Sequence, residues 1–496
     1  MENKQVSNNK QTFWLAFGKI ISLFATLIVP IFLTRFLNKD EYGFYNQFNT
    51  ILYFLSSFFS FGMSSNLFYF YPSLQKDKIK SLVVHTLLFL LGFGLLSGFF
   101  IFIPIFSNFF LATEELQKYR IIIYFLTIIL SLTTVIHPLY VVRKDVSISV
   151  WFPTFQVAIK AIAIVVFFLI IPSIDSVINA ILVSSVLVLL VIVFYIHRVF
   201  KKLPRKASMD KELMKEQFKY NLPIGLSIGL KTFSQRFDKI IGITFLSTTS
   251  YASYSVAFFG IPGIQQIYDS ISQVTIINMV KCFGKGEIEK AHDLYKSMVI
   301  KTLSFSVPII LIVLINAKEI ITFLFTDKYA DATILFQMYL ISFVFVMLGA
   351  GLILRASGNT KFIIRAFLFA SIISIPATYF LMKYYGAIGA MSGALLSIIL
   401  PKIYQIKKEI DITQSSLTTF LPWKKISYIF LISVVSILPF IALNICLSDN
   451  NILKVIFTTI IYLTIVSLIE IKLNIFIIHK MKIHQLLSRM KNKFRK

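Results

Sequence analysis

Apolar residues in this chain come in long unbroken runs separated by short polar links. Many runs reach the roughly 18–20 residues that cross about 30 Å of hydrocarbon at 1.5 Å per residue. Backbone amides cannot stay unpaired in lipid, and no run alternates with the period of a barrel strand, so the runs are expected to be helices. The pattern predicts about 14 spans, near 13–34, 46–70, 81–104, 121–141, 148–171, 177–196, 222–245, 252–276, 298–316, 333–353, 362–382, 386–405, 427–447 and 453–476. No link is long enough for a separate soluble domain. The run from Phe13 to Thr34 exceeds a signal-peptide core and lacks a small-residue cleavage site, so it is expected to remain as the first helix.

Composition supports this reading: 57% of residues are hydrophobic and 15% charged, with mean hydropathy +0.78, against about 25% charged in a soluble domain. The expected class is an all-α polytopic membrane protein. Cys282 and Cys446 have no metal or redox spacing around them.

The net charge of +26 invites a nucleic-acid reading, but its distribution argues against one. About 32 Lys and Arg fall in the N-terminus and in one alternating set of links, among them Lys76, Arg143, Arg198–Lys219, Lys281–Lys296, Lys407–Lys425 and the tail from Lys480. The other set, including Arg35, Lys39, Lys118 and Lys383, holds about eight. Positive links stay inside, so both termini are expected in the cytoplasm and the number of spans is even, 12 being the alternative to 14. Membrane lipids, not nucleic acid, are the expected polyanionic surroundings.

An internal repeat is visible. Leu37 precedes Tyr42 and Tyr45 as Leu246 precedes Tyr251 and Tyr254, an offset of 209 residues, and the basic links at Arg143 and Arg355 repeat at 212. Two pseudo-symmetric six-helix halves are expected, 1–205 and 206–410, followed by two further helices and a basic tail in 411–496. Such parallel repeats place substrate near the midplane and work by alternating access.

Charges inside spans are costly and usually face a cavity or a partner. Span 7 places Lys231, Ser234, Gln235 and Asp238 on one face. Lys231 is roughly 13 Å from the expected inner end of its span. The stripe is read either as a cationic cavity wall or as a structural Lys231–Asp238 pairing. Span 5 sets Gln156 and Lys160 four residues apart, and span 8 carries Gln265 and Asp269 on one side. Asp238 and Asp269 are candidate coupling acids, because a carboxyl in low dielectric can titrate near neutral pH; a plain ion pair is the alternative for Asp269. Lys19 in span 1 lies nearer the inner face, where snorkelling explains it equally well. Positives outnumber negatives within the spans, which suits a phosphate-bearing substrate.

Enzyme motifs are missing from the sequence. Gly225-Leu-Ser-Ile-Gly-Leu-Lys-Thr232 fails the phosphate-loop spacing, and no HExxH, GxSxG or exposed carboxylate pair occurs. The expectation is a non-enzyme with no metal and no cofactor beyond a coupling H+ or Na+.

The segment Arg35-Phe-Leu-Asn-Lys-Asp-Glu-Tyr-Gly-Phe-Tyr45 resembles the R-x-L-G-P-x-x-[FY]-G-x-Y signature of bacterial Wzx-type polysaccharide flippases, within the multidrug/oligosaccharidyl-lipid/polysaccharide exporter superfamily. Asn38 and Lys39 stand where Gly and Pro are usual. Tyr220-Asn-Leu-Pro-Ile224, Asp238-Lys-Ile-Ile-Gly242, Arg355-Ala-Ser-Gly-Asn-Thr-Lys361 and Tyr385-Gly-Ala-Ile-Gly-Ala390 extend the likeness. It implies a flippase carrying undecaprenyl-diphosphate-linked oligosaccharide from the inner to the outer leaflet of the bacterial cytoplasmic membrane, for O-antigen, capsule or exopolysaccharide assembly. It carries over Arg35 and Asp238. Lys160, Lys231, Gln156 and Gln235 rest on the physical argument as substrate-binding candidates. Glycosyltransferases and a glycan polymerase are the implied partners. A cation-coupled multidrug exporter of the same superfamily and a non-transporting scaffold for glycan assembly are the competing functions.

Overall fold

The computed structural model describes residues 26–203, 209–261, 263–446 and 452–473. These residues form helices with short connections and fall into two compact units, residues 1–256 with 373–394 and residues 257–372 with 395–496. The expected all-helical membrane class is what the structure has. Among the described residues, eight helices are long and apolar enough to cross a membrane, nine if one bent pair is a single span, and Thr26–Phe36 and Thr458–Glu470 are shorter apolar helices. Each expected span falls mainly on helix where it is described, with breaks inside 46–70, 121–141, 252–276 and 333–353.

In the first unit α1 (Thr26–Phe36) leads into α2 (Lys39–Phe59) and α3 (Asn66–Ser73). Asn38 caps α2: its side chain accepts from the Glu41 N–H at 2.8 Å, and Glu41 returns a bond to the Asn38 N–H at 3.0 Å. The departure from the family glycine at this position thus supplies a reciprocal cap. The expected span 46–70 is bent by 47° between α2 and Met63–Ser73, with Gly62 at φ 60° in the break. Next come α4 (Ile79–Phe102), α5 (Pro104–Phe110), α6 (Glu114–Lys118), α7 (Arg120–Thr133), α8 (Ile136–Val142), α9 (Val146–Ile170) and α10 (Ile174–Lys201). Leu82, Leu90, Leu139 and Ile192 are buried in the core that these helices share with α3.

Helix α11 (Lys211–Phe245) starts earlier than hydropathy suggests. Asp210 caps it by accepting from the Leu213 N–H at 3.1 Å and also takes the Lys78 ammonium at 3.0 Å. Backbone and lysine bonds together hold this carboxyl below the usual carboxylate range. Two turns on from Asp210, buried Gln217 bonds His85 (3.2 Å), Thr86 (3.2 Å) and the Leu82 carbonyl (3.3 Å), fastening the polar start of α11 to α4. Helix α12 (Thr248–Ala257) completes the continuous part of the unit.

The second unit contains α13 (Ile264–Gly284), α14 (Ile288–Ile315), α15 (Ala317–Phe325), α16 (Ala332–Met347) and α17 (Leu352–Ala356). The expected span 252–276 is broken between α12 and α13, where Gly260 (φ 68°) and Gly263 (φ 93°) take left-handed backbone. Helix α18 (Lys361–Thr413) carries two expected spans as one element, with Gly386 at φ 55°, ψ −131°. Its limbs fold back on one another: a Cβ at Gly389 would lie 1.9 Å from the Leu381 carbonyl oxygen, and one at Gly393 would lie 2.3 Å from Thr378 Oγ1. Only hydrogen at these positions permits so close a hairpin. Buried Glu409, near the end of α18, accepts backbone N–H bonds from Gly351 (2.9 Å), Ile353 (2.8 Å) and Leu354 (3.4 Å). It acts as a remote cap on α17, a role that satisfies otherwise orphaned amides. The chain continues through α19 (Leu417–Phe420), α20 (Trp423–Cys446) and α21 (Ile452–Lys472).

Candidate functional site

Helix α2 is the wall on which the candidate site is built. Tyr45, Asn49 and Tyr53 recur every four residues and so share one of its faces. Lys160 of α9 reaches that face. Its ammonium donates to the Tyr53 hydroxyl at 2.7 Å and to Asn49 Oδ1 at 3.4 Å, and it lies 5.2 Å from the Tyr53 ring centroid. Both acceptors are neutral, so the pairing solvates the positive charge without cancelling it. A charge-assisted bond of this kind contributes about 1.5–3 kcal/mol.

Helix α2 also meets α11 and α12, along the adjoining side of the same stripe. Phe54 packs on Phe233 with centroids 6.2 Å apart, and Ser57 lies 3.4 Å from Thr232, oxygen to oxygen. Glycines allow the approach: a Cβ at Gly43 would meet the Thr248 carbonyl oxygen at 2.1 Å, and one at Gly225 would meet the Phe61 ring at 2.1 Å. The Tyr251 hydroxyl donates to Thr50 Oγ1 at 2.9 Å, with the Lys239 carbonyl 3.2 Å away. The Tyr254 hydroxyl donates to the Asp238 carboxylate. Asp238 is only 5% exposed, so this phenol supplies a bond that the buried carboxyl needs.

The polar stripe of α11 divides along its length. Ser234 and Asp238 are buried, whereas Lys231 and Gln235 are exposed. At about 100° per residue the buried pair occupies one half of the stripe and the exposed pair the other. Lys160, Lys231, Asp238, Gln156 and Gln235 all belong to the first unit. Gln156 is exposed one turn before Lys160, and Arg35 is exposed at the end of α1. Asp269 belongs to the second unit, where its exposed carboxylate accepts from Gln265 Nε2 at 3.0 Å. Lys19 lies outside the described residues.

The structure adds residues that charge alone did not mark: Asn49, Tyr53, Thr50, Tyr251, Tyr254 and, apart from them, Glu409. The four-residue recurrence of Tyr45, Asn49 and Tyr53 was the signal available in sequence. Tyr251 and Tyr254 stood out as half of the internal repeat, but nothing local linked them to Asp238. Among the described residues no group of three or more His, Cys, Asp or Glu is placed to hold a metal ion.

A family profile described as "Polysaccharide biosynthesis protein" matches residues 32–334, more than half of the chain. No curated protein matches the sequence. Among solved structures, the fold is similar to the lipid II flippase MurJ in an inward closed conformation, with TM-score 0.71, 17% identity, and 93% of this chain and 99% of that chain covered. It is also similar to an inward-facing multidrug resistance MATE family transporter of the MOP superfamily, with TM-score 0.63, 15% identity, and 79% and 94% covered. A MOP superfamily transporter from Pyrococcus furiosus, described as having a binding pocket of reversed polarity, matches with TM-score 0.54, 14% identity, and 82% and 95% covered. These likenesses concern the fold, and the profile concerns the sequence around α2, α9 and α11: the chain is a multi-pass membrane protein that belongs to the polysaccharide biosynthesis protein family.

Proposed function

We propose that this protein is a flippase for a lipid-linked oligosaccharide, carrying the sugar-diphosphate head across the cytoplasmic membrane of a bacterium by alternating access. The observation that carries this reading is Lys160, a cation in an apolar helix whose hydrogen-bond acceptors are neutral. Its charge remains available to an anionic head, and a diphosphate is the anion that a polysaccharide pathway attaches to a lipid. Lys231 and Gln235, exposed on α11, extend the polar lining, with Gln156 beside Lys160 and Lys19 and Arg35 as outlying contacts. Family membership in polysaccharide biosynthesis supports the substrate class, and the MurJ-like fold supports the mode of action.

Two repeat halves, 1–205 and 206–410, with residues 411–496 appended, are the proposed moving parts. Tyr42 and Tyr45, like Tyr251 and Tyr254, are buried just after a helix break, which supports their equivalence. Asp238 and Asp269 are the proposed coupling acids, with H+ or Na+ as the driving ion and no other cofactor. The positive links support a cytoplasmic position for both termini. Glycosyltransferases supply the substrate and a polymerase consumes the product. No covalent step is assigned to the protein. The multidrug exporter reading shares the fold, but the family match and the neutral partners of Lys160 favour an anionic lipid. Reconstitution into vesicles with a fluorescent lipid-diphosphate oligosaccharide tests the proposal. Wild-type protein should expose the head to an external quencher within the assay, and vesicles that match protein-free controls would refute it.

A further inference from the structure

We infer that the second unit carries a separate site for the phosphate headgroup of an anionic membrane lipid, at the end of the bilayer where α20 begins. A cavity of about 560 Å³ lies between α14 and the α19–α20 segment. Lys296 and Lys301 of α14 line it, together with Trp423, Lys424 and Lys425 from the first turn of α20, and Asp293 is the one acid in its lining. Four ammonium groups against one carboxylate leave three net positive charges around a space of headgroup size. The start of α20 adds the positive end of a helix dipole.

The cavity has a fixed frame. His292 of α14 stacks on Phe420 with centroids 5.2 Å apart, and its Nε2 is 2.9 Å from the Phe420 carbonyl oxygen. Tyr295 lies on the same ring, at 5.1 Å. These contacts tie α14 to α19. The Trp423 indole N–H donates to the Leu417 carbonyl at 2.9 Å, which holds the ring beside the lysines. Such fixation matters, because free surface lysines pay full rotamer entropy on gathering about one anion.

Depth and surroundings identify the ligand. The apolar span of α20 begins at Trp423 itself, so the cavity lies where hydrocarbon gives way to headgroups, the level at which tryptophan collects. Leu417, Tyr428 and Leu431 are exposed on the same segment. They offer an apolar flank that acyl chains can cover and that a free anion would leave wet. The lysines answer the phosphate, and the flank answers the chains. Under the orientation proposed above, the lipid belongs to the cytoplasmic leaflet. The site itself requires no flipping activity, and its test is independent of that reading.

The experiment uses full-length protein in mild detergent and counts bound lipid by native mass spectrometry, with phosphatidylglycerol and phosphatidylcholine as probes. Wild-type protein should retain one phosphatidylglycerol at least tenfold more tightly than phosphatidylcholine. Each lysine near a lipid phosphate is worth about fivefold. A protein with Lys296→Gln, Lys301→Gln, Lys424→Gln and Lys425→Gln should lose the preference, and the corresponding four Lys→Arg changes should keep it. If the fourfold variant does not fold, Lys301→Gln and Lys424→Gln singly should each weaken binding about fivefold. Equal binding of the two lipids by wild-type protein would overturn the proposal, as would unchanged phosphatidylglycerol affinity in the Gln variants. Thermal stabilisation by millimolar inorganic phosphate equal to that by phosphatidylglycerol would also overturn it, since the site would then take the free anion.

Discussion

The Lys160 ammonium lies 2.7 Å from the Tyr53 hydroxyl oxygen, donating to it from a neighbouring helix. The phenol therefore positions the cation while leaving its charge intact. Tyr53→Phe keeps the ring and removes the acceptor, and it should destabilise the protein by about 1 kcal/mol. Lys160→Gln should insert normally and flip poorly. Lys160→Arg should keep more activity, because a diffuse phosphate contact depends on charge. Flipping rates in vesicles at matched protein density check this series, and a fully active Lys160→Gln protein would remove Lys160 from the substrate path.

Asp238 depends on the Tyr254 hydroxyl for a hydrogen bond inside the first unit. Tyr254→Phe should leave the carboxyl short of a donor and lower thermal stability by about 1–3 kcal/mol. Asp238→Asn keeps the shape and removes the titratable group. Flipping by the Asn variant, followed across a pH and sodium series, should lose the ion dependence expected of wild-type protein. An unaltered dependence would end the coupling role proposed for Asp238.

Gly389 and Leu381 touch across the hairpin of α18, where an added Cβ would meet a carbonyl oxygen at 1.9 Å. Backbone cannot yield as a side chain can. Gly389→Val should therefore destabilise by more than about 3 kcal/mol, beyond ordinary overpacking. Gly386→Ala, at φ 55°, ψ −131°, should cost about 1–3 kcal/mol through a backbone conformation that side chains rarely adopt. Thermal unfolding of purified protein distinguishes the two.

Asp145, in the link between α8 and α9, receives the Arg143 Nε–H at 2.9 Å and a Tyr195 hydroxyl bond. Burial pushes its carboxyl up, but the Tyr195 and Arg143 bonds outweigh that and hold it below the usual range. The lowered value means that its contribution is present above the unfolded-state pKa of about 3.9 and is lost as pH falls through the lower folded value. Asp145→Asn should cost about 1 kcal/mol at neutral pH. The gap from wild type should close in acid, and a gap that stays constant from pH 7 to pH 3, about the range bracketing that value, would contradict the assignment.

The proposed topology rests on the charge of the links. Reporter fusions at the C-terminus should be active only as cytoplasmic reporters. An externally active fusion would reverse the orientation.

What the sequence settled on its own was the class and the order of helices. In lipid a helix satisfies its backbone bonds within one segment, so local hydropathy is enough to place it. The charges that needed explanation, Lys160, Lys231 and Asp238, were legible for the same reason. Tertiary structure decided which of them are covered and by what. The α11 stripe reads as one face in sequence, yet Ser234 and Asp238 are buried in the structure while Lys231 and Gln235 are exposed. The partners of Lys160 lie more than one hundred positions earlier, since Asn49 and Tyr53 are separated from it by 111 and 107 residues. The pairing of Tyr254 with Asp238 likewise joins two helices, α12 and α11. The fold-back at Gly386 shows the same limit, because hydropathy gives two spans but not the glycine contacts that close them. Helix formation is a property of consecutive residues, whereas burial and pairing depend on which distant surface arrives at each face.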